Sequence, residues 1–141
     1  MLLEENFLTR ALRLAEEAAF QKEVPVGAVI VKENRIIAEA FNQREKDQST
    51  LAHAECLAIM RANQALKSWR LTGCDLYVTL EPCPMCLAAC EQARIRKVVY
   101  GAKDAKSDTV NLNSKVKIEA EYFQMKECET ILLQFFKEKR K

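Results

Sequence analysis

No stretch of this chain constrains its fold more than Asp75 to Cys86, which reads Asp-Leu-Tyr-Val-Thr-Leu-Glu-Pro-Cys-Pro-Met-Cys. Asp75 to Leu80 has the composition of a short strand. The proline-punctuated segment Glu81-Pro82-Cys83-Pro84 then opens a helix expected to run to about Ala93. Proline is well tolerated in a first helical turn, where its missing N–H would have had no partner. A strand thus feeds directly into a helix whose start carries a Cys-x-x-Cys pair.

The remaining elements fall into place around that junction. Phe7, Leu8, Ala11, Leu12, Ala15, Ala18 and Ala19 recur at three- and four-residue spacing and mark an amphipathic first helix. Val26 to Lys32 and Arg35 to Phe41 are β-branched-rich runs separated by Glu33-Asn34, the pattern of a hairpin. A polar stretch, Asn42 to Thr50, precedes a helix from near His53 to about Leu66. Lys97 to Gly101 is a further strand, followed by a polar loop, a short strand around Val116 to Ile118, and a last helix from about Lys126 to Lys139. Strands alternating with helices after an initial hairpin predict an α/β fold: a mixed sandwich with a sheet of about five strands in the middle.

The chain has 141 residues and no internal repeat, low-complexity tract or linker, so one compact domain over 1–141 is expected. No apolar run approaches the ~20 residues of a membrane span. The segment Met1 to Gln21 lacks the basic start, apolar stretch and cleavage site of a signal peptide, so a cytoplasmic location without membrane association is expected. In a reducing compartment the six cysteines do not read as a disulfide framework. The Cys83/Cys86 pair suggests metal or redox chemistry, and Cys56, Cys74, Cys90 and Cys128 are expected to be small buried apolar groups. Net charge is +2 but uneven: residues 1–93 carry 10 basic and 13 acidic groups, whereas residues 94–141 carry 12 and 7. That basic third fits a polyanionic partner, or equally a solvated helix end with loop lysines.

His53 is the only histidine in the chain and sits at a helix start, in Leu51-Ala52-His53-Ala54-Glu55. A solitary histidine is more often a hydrogen-bonded structural residue than a ligand. Cys83 and Cys86, three apart and so on one helical face, change that weight, because both sulfurs can reach one ion. A redox Cys-x-x-Cys is the competitor; the bracketing Pro82 and Pro84 and the second helix start with His and Glu fit it less well. One imidazole and two thiolates leave the fourth position of a zinc ion open for water, as in catalytic sites. Both helix starts would aim positive dipole ends at the site. Glu55 can serve as general base and acid if the site lies off the helix end; otherwise it is a first-turn glutamate complementing the helix dipole.

His53-Ala54-Glu55 with Pro82-Cys83-Pro84-Met85-Cys86 resembles the His-x-Glu…Pro-Cys-x-x-Cys signature of zinc nucleobase deaminases. Glu23 to Val29, Leu76 to Glu81, Gly101 to Lys106 and the Phe135-Phe136 pair are similar to one branch of that superfamily, the bacterial tRNA-specific adenosine deaminases. The likeness runs from roughly Leu8 to Arg140. It implies a three-layer α/β/α cytidine-deaminase-like sandwich, one Zn2+ per subunit on His53, Cys83 and Cys86, and conversion of a wobble adenosine to inosine in a tRNA anticodon stem-loop. It further implies attack on C6 of the purine by zinc-activated water, with Glu55 protonating N1 and carrying a proton to the departing amine.

The same resemblance places Asn42, Val26 and the Ala54 backbone at the target nucleoside, and Asp104, Lys106, Phe136 and Lys139 along the RNA. Asn42 also suits a loop, and Phe135 or Phe136 also suits a core. A homodimer whose second subunit helps form the nucleic-acid surface is implied as well. One departure bears on substrate: only Ser107 to Ser114 stands where these relatives carry a longer segment with a Gly-Ser-Leu stretch. That shortening keeps open a deaminase of a free nucleobase, nucleoside or nucleotide. A third reading, a non-catalytic nucleic-acid-binding protein with structural zinc, would need a fourth protein ligand, for which Cys90, one turn beyond Cys86, is the candidate.

Overall fold

The computed structural model describes residues 3–104 and 117–139. Lys106, the segment Ser107 to Ser114, Val116 and Arg140 lie outside the described residues. Helix α1 (Leu3–Phe20) leads into the hairpin β1 (Gly27–Lys32) and β2 (Arg35–Phe41), followed by a single turn, α2 (Arg44–Asp47). Next come α3 (Ala54–Leu66), β3 (Cys74–Leu80), α4 (Pro84–Gln92), β4 (Lys97–Ala102), β5 (Glu119–Tyr122) and α5 (Lys126–Lys139). The five strands form one sheet in the order β2-β1-β3-β4-β5. β1 runs antiparallel to both β2 and β3, while β3, β4 and β5 are parallel, so the sheet is mixed.

Alternation along the strands explains the layering. Ala28 and Ile30 of β1, Leu76 and Val78 of β3, and Val98 and Tyr100 of β4 face one side, where they pack with Ala54, Ala58, Ile59 and Ala62 of α3 and Cys90 of α4. Val29 and Val31, Tyr77 and Val99 face the other side, against Phe7, Leu8 and Leu12 of α1 and Cys128 of α5, with Ala102 joining them at the end of β4. Period-two strands between period-3.6 helices give the α/β/α sandwich expected from the sequence. Glu33 and Asn34 close the hairpin with φ of 51° and 62°, the left-handed pair that a two-residue turn of matching twist requires.

Gly27 is needed because α1 crosses β1 closely: a Cβ there would sit 2.0 Å from the Ala11 carbonyl oxygen and 2.7 Å from the Ala15 nitrogen. No helix is long and apolar enough to cross a membrane among the described residues.

One expectation is corrected. The last strand is Glu119–Tyr122 rather than one around Val116 to Ile118; 117 and 118 belong to no strand. All four β5 residues are exposed at the sheet edge, so no apolar alternation announces them, and it is parallel pairing with Lys97 to Tyr100 that defines the strand. Ile118 is apolar because it packs on the core just before the strand begins. Within the polar stretch Asn42 to Thr50, Arg44–Asp47 forms a helical turn. That turn has no buried residue, and its stability comes from outside itself.

Candidate active site

The site is assembled where two helices begin. His53 is the N-cap of α3 with extended backbone (φ −73°, ψ 147°), and Cys83 is the N-cap of α4 (φ −70°, ψ 167°). The His53 side chain does not bond the amides of its own helix, although capping is the usual use of a polar side chain at this position. The His53 and Cys83 side chains are turned toward each other. His53 Nδ1 lies 3.8 Å from Cys83 Sγ and 3.4 Å from Cys86 Sγ, and the three ligand atoms all fall within 4.8 Å of one another.

Those separations suit a metal. Zn–S of about 2.3 Å and Zn–N of about 2.0 Å at tetrahedral angles put nitrogen and sulfur roughly 3.5 Å apart. The donor set and its spacing therefore fit an ion on three protein ligands. His53, Cys83 and Cys86 are the one group of this kind among the described residues. Cys90 is not part of it; it is buried in the apolar layer under α4.

Electrostatics reinforce the grouping. Hydrogen bonding from Cys86, and then from His53, draws the Cys83 thiol down to about 4, so it is a thiolate at neutral pH. Hydrogen bonds with Cys56 and Cys83, with burial, hold Cys86 far above the ordinary thiol range. His53 is raised, mainly by its bond with Cys83 and against the opposing effect of burial. Cys83 is thus the anionic sulfur of the pair and Cys86 the protonated one.

Glu55 is buried at the second position of α3. Burial pushes its carboxyl up to about 7, against the smaller opposing influences of its own backbone amide, His53 and Cys86. Because His53 precedes the helix rather than lying on it, the two-residue spacing does not send the pair to opposite sides. Both line one cavity of about 170 Å³ together with Val24, Val26, Asn42, Arg44, Ala54, Leu80, Glu81, Cys83 and Asp104.

The structure thus brings Val26, Asn42, His53, Ala54, Glu55, Cys83 and Asp104 to one pocket, with Cys86 behind it. Phe136 and Lys139 do not reach it. Phe136 is 41% exposed on α5, and Lys139 sits 5.8 Å from the Phe135 ring centroid on the same helix. Lys106 lies outside the described residues.

The sequence reading missed Arg44, and it missed Glu81, whose carboxylate accepts the Asp104 N–H at 3.1 Å. Glu81 could have been found, since it stands between β3 and Pro82 at the strand end where the ligand-bearing helix starts. Nothing in the sequence singles out Arg44. Cys56 also differs from expectation. It is only half-buried, and its sulfur lies 3.8 Å from Cys86 Sγ, so it belongs to the rim of the ligand cluster rather than to the core.

Comparison with known proteins agrees with this geometry. The family model described as MafB19-like deaminase matches residues 4–140. The tRNA-specific adenosine deaminase of Bacillus subtilis (strain 168) is 42% identical over 151 residues, covering 100% of this chain and 93% of that protein. A structure from studies of A-to-I editing by tRNA:A34 deaminases at the wobble position of transfer RNA superposes with a TM-score of 0.82 at 38% identity. It covers 91% of this chain and 99% of its own. A guanine deaminase from Bacillus subtilis superposes with a TM-score of 0.70 at 34% identity, over 96% of this chain and 92% of its own.

Proposed function

Because the chain belongs to the MafB19-like deaminase family and, within it, to the tRNA-specific adenosine deaminases, we propose that it converts the wobble adenosine of a tRNA anticodon stem-loop to inosine, with release of ammonia. The observation that carries the reading is the convergence of His53, Cys83 and Cys86 at two helix starts, with the buried carboxyl of Glu55 in the same small pocket. His53, Cys83 and Cys86 would hold a single zinc ion, which supplies a water acidic enough (pKa about 7) to act as a nucleophile at neutral pH.

The proton work falls to Glu55. Its carboxylate accepts a proton from the attacking water and gives it to N1 of the purine as C6 is attacked; it then takes the proton of the new C6 hydroxyl and passes it to the amino group as the C6–N bond breaks. Adenosine and water thus become inosine and ammonia. A carboxyl poised near neutrality can both take and give a proton without a large penalty in either direction.

The pocket selects by size. At about 170 Å³ it is smaller than the ~300 Å³ at which drug-sized ligand sites begin, so it suits one flipped base with the rest of the polymer outside. Asn42 and the Ala54 backbone would hold the nucleoside, with Val26 packed against it. Asn42 donates one Nδ2 hydrogen to the Val24 carbonyl and accepts the Arg44 N–H at Oδ1, leaving one hydrogen and one lone pair for a ligand. Asp104, Lys106, Phe136 and Lys139 would lie along the RNA.

A homodimer is part of the proposal. In α4 only Cys86 and Cys90 are buried, which leaves Met85, Leu87, Ala88 and Ala89 half-covered, and Met60 of α3 is 55% exposed. Residues 1–141 would act as one cytoplasmic domain.

The test is direct. Zinc-loaded protein should form inosine at the wobble position of an anticodon stem-loop, and the Glu55→Ala variant should not. A second reading, turnover of a free base, draws on the likeness to a guanine deaminase. Rapid ammonia release from free guanine, adenine or cytosine with no inosine in the stem-loop would replace the first reading by the second.

A further inference from the structure

Glu23 lies outside the ligand cluster and does not line the pocket, yet it is among the largest fully buried side chains of the protein and is only 2% exposed. Its place is fixed by the end of α1. Lys22 takes a left-handed conformation (φ 65°) and donates its N–H to the Ala19 carbonyl, while the Glu23 N–H reaches back to Ala18 at 2.9 Å. This pairing terminates the helix and sets the direction of the next side chain. The Glu23 carboxylate then accepts two backbone amides from the turn α2, Glu45 N–H at 3.0 Å and Lys46 N–H at 2.8 Å. Those amides have no partner within so short a helix, and α2 buries nothing of its own.

Two more bonds tie the same segments. Asn42 N–H donates to the Val26 carbonyl at 3.0 Å, and Asn42 Nδ2 to the Val24 carbonyl at 3.2 Å. Val24, Val26, Asn42 and Arg44 all line the pocket, so the 23–26 and 42–46 strips together form one of its walls. Glu23 is the one side chain of the first strip that grips the second beyond Asn42. Charge-assisted bonds to two amides make the stronger part of that grip.

We infer that Glu23 is a positioning residue, which holds α2 so that Asn42 and Arg44 face the target nucleoside. The inference rests on the deaminase reading of the pocket for its substrate, and on the hydrogen bonds alone for its mechanics. Glu23→Gln is nearly isosteric but offers one carbonyl oxygen where two oxygens stood and turns an NH2 toward the second amide. Glu23→Ala removes both acceptors.

The experiment combines steady-state kinetics on the stem-loop with hydrogen exchange on the zinc-loaded full chain. For Glu23→Gln, the expected result is a KM about ten-fold higher with kcat within two-fold of wild type and one zinc per chain retained. Exchange should be about ten-fold faster in the 43–48 segment and unchanged in α3 and α4. Glu23→Ala should move in the same direction and further. An unchanged KM, a loss carried by kcat alone, or exchange that accelerates equally throughout the chain would overturn the inference, the last outcome marking a purely structural residue. If wild-type protein forms no inosine, the substrate proposal fails separately. A selective rise in exchange at 43–48 then still supports Glu23 as the anchor of this wall, and its absence removes that role.

Discussion

Replacing Glu55 by Gln should make the metal-free protein more stable, and the gain should grow with pH. The Glu55 carboxyl is fully buried and pushed up to about 7 from an ordinary 4.5, with burial as the largest cause. Between those values the folded chain holds a proton that the unfolded chain has already released. Folding is unopposed by this group below pH ~4.5. It is increasingly opposed as pH rises toward 7, and the penalty is fully developed above that. At 1.36 kcal/mol per unit the full penalty is about 3 kcal/mol.

Glutamine fills the same space without the titration; the part of the His53 shift that comes from Glu55 is lost with it, while the larger part, from the hydrogen bond with Cys83, is common to both proteins. Urea unfolding of chelated, reduced protein at pH 5 and pH 8 should show the variant's advantage widening by about 2–3 kcal/mol. An advantage that stays constant or shrinks with pH would refute the placement of a neutral, buried carboxyl in the pocket. The zinc-loaded variant should meanwhile lose roughly 10²–10⁴-fold in rate, the usual share of a general acid–base group.

Other perturbations separate the metal site from its surroundings. Zinc at a thousand-fold excess over its dissociation constant should stabilise the folded chain by about 4 kcal/mol, measured as a rise in thermal midpoint; Cys86→Ser should abolish most of that rise, whereas Cys90→Ser should keep it. Gly27→Ala should lower the urea midpoint by at least ~1–3 kcal/mol equivalent, because the added Cβ meets the α1 backbone at Ala11 and Ala15, which cannot rotate away. Stem-loop binding should weaken steeply with salt, giving a linear loss of log affinity against log salt; a flat response would argue for a free base as substrate.

What was legible in the sequence divides along physical lines. The helices and inner strands were readable because each buries one face or both: Phe7 to Ala18 repeat with helical spacing, and Gly27 to Val31 are buried throughout. The cluster of His53, Cys83 and Cys86 was readable because few residue types can hold a metal ion and His53 is the only imidazole. Elements held by tertiary contact alone were not. β5 is an edge strand with all residues exposed, and α2 is held by a carboxylate 22 and 23 residues before the amides that it accepts. The same applies to Cys56, whose half-exposed position beside Cys86 depends on how α3 and α4 approach each other. Phe136 and Lys139 lie on α5 and do not line the pocket, and the contacts that the resemblance implies for them are with RNA beyond the reacting base.

X-ray absorption at the zinc edge of the loaded protein examines the metal centre itself. Two sulfurs at about 2.3 Å and two lighter donors at about 2.0 Å, one of them lost or exchanged when a base analogue binds, are expected for His53, Cys83, Cys86 and a solvent molecule. A third sulfur, from Cys56 or Cys90, or a first shell indifferent to the analogue, would mean a closed structural site and would contradict a deaminase built on these residues.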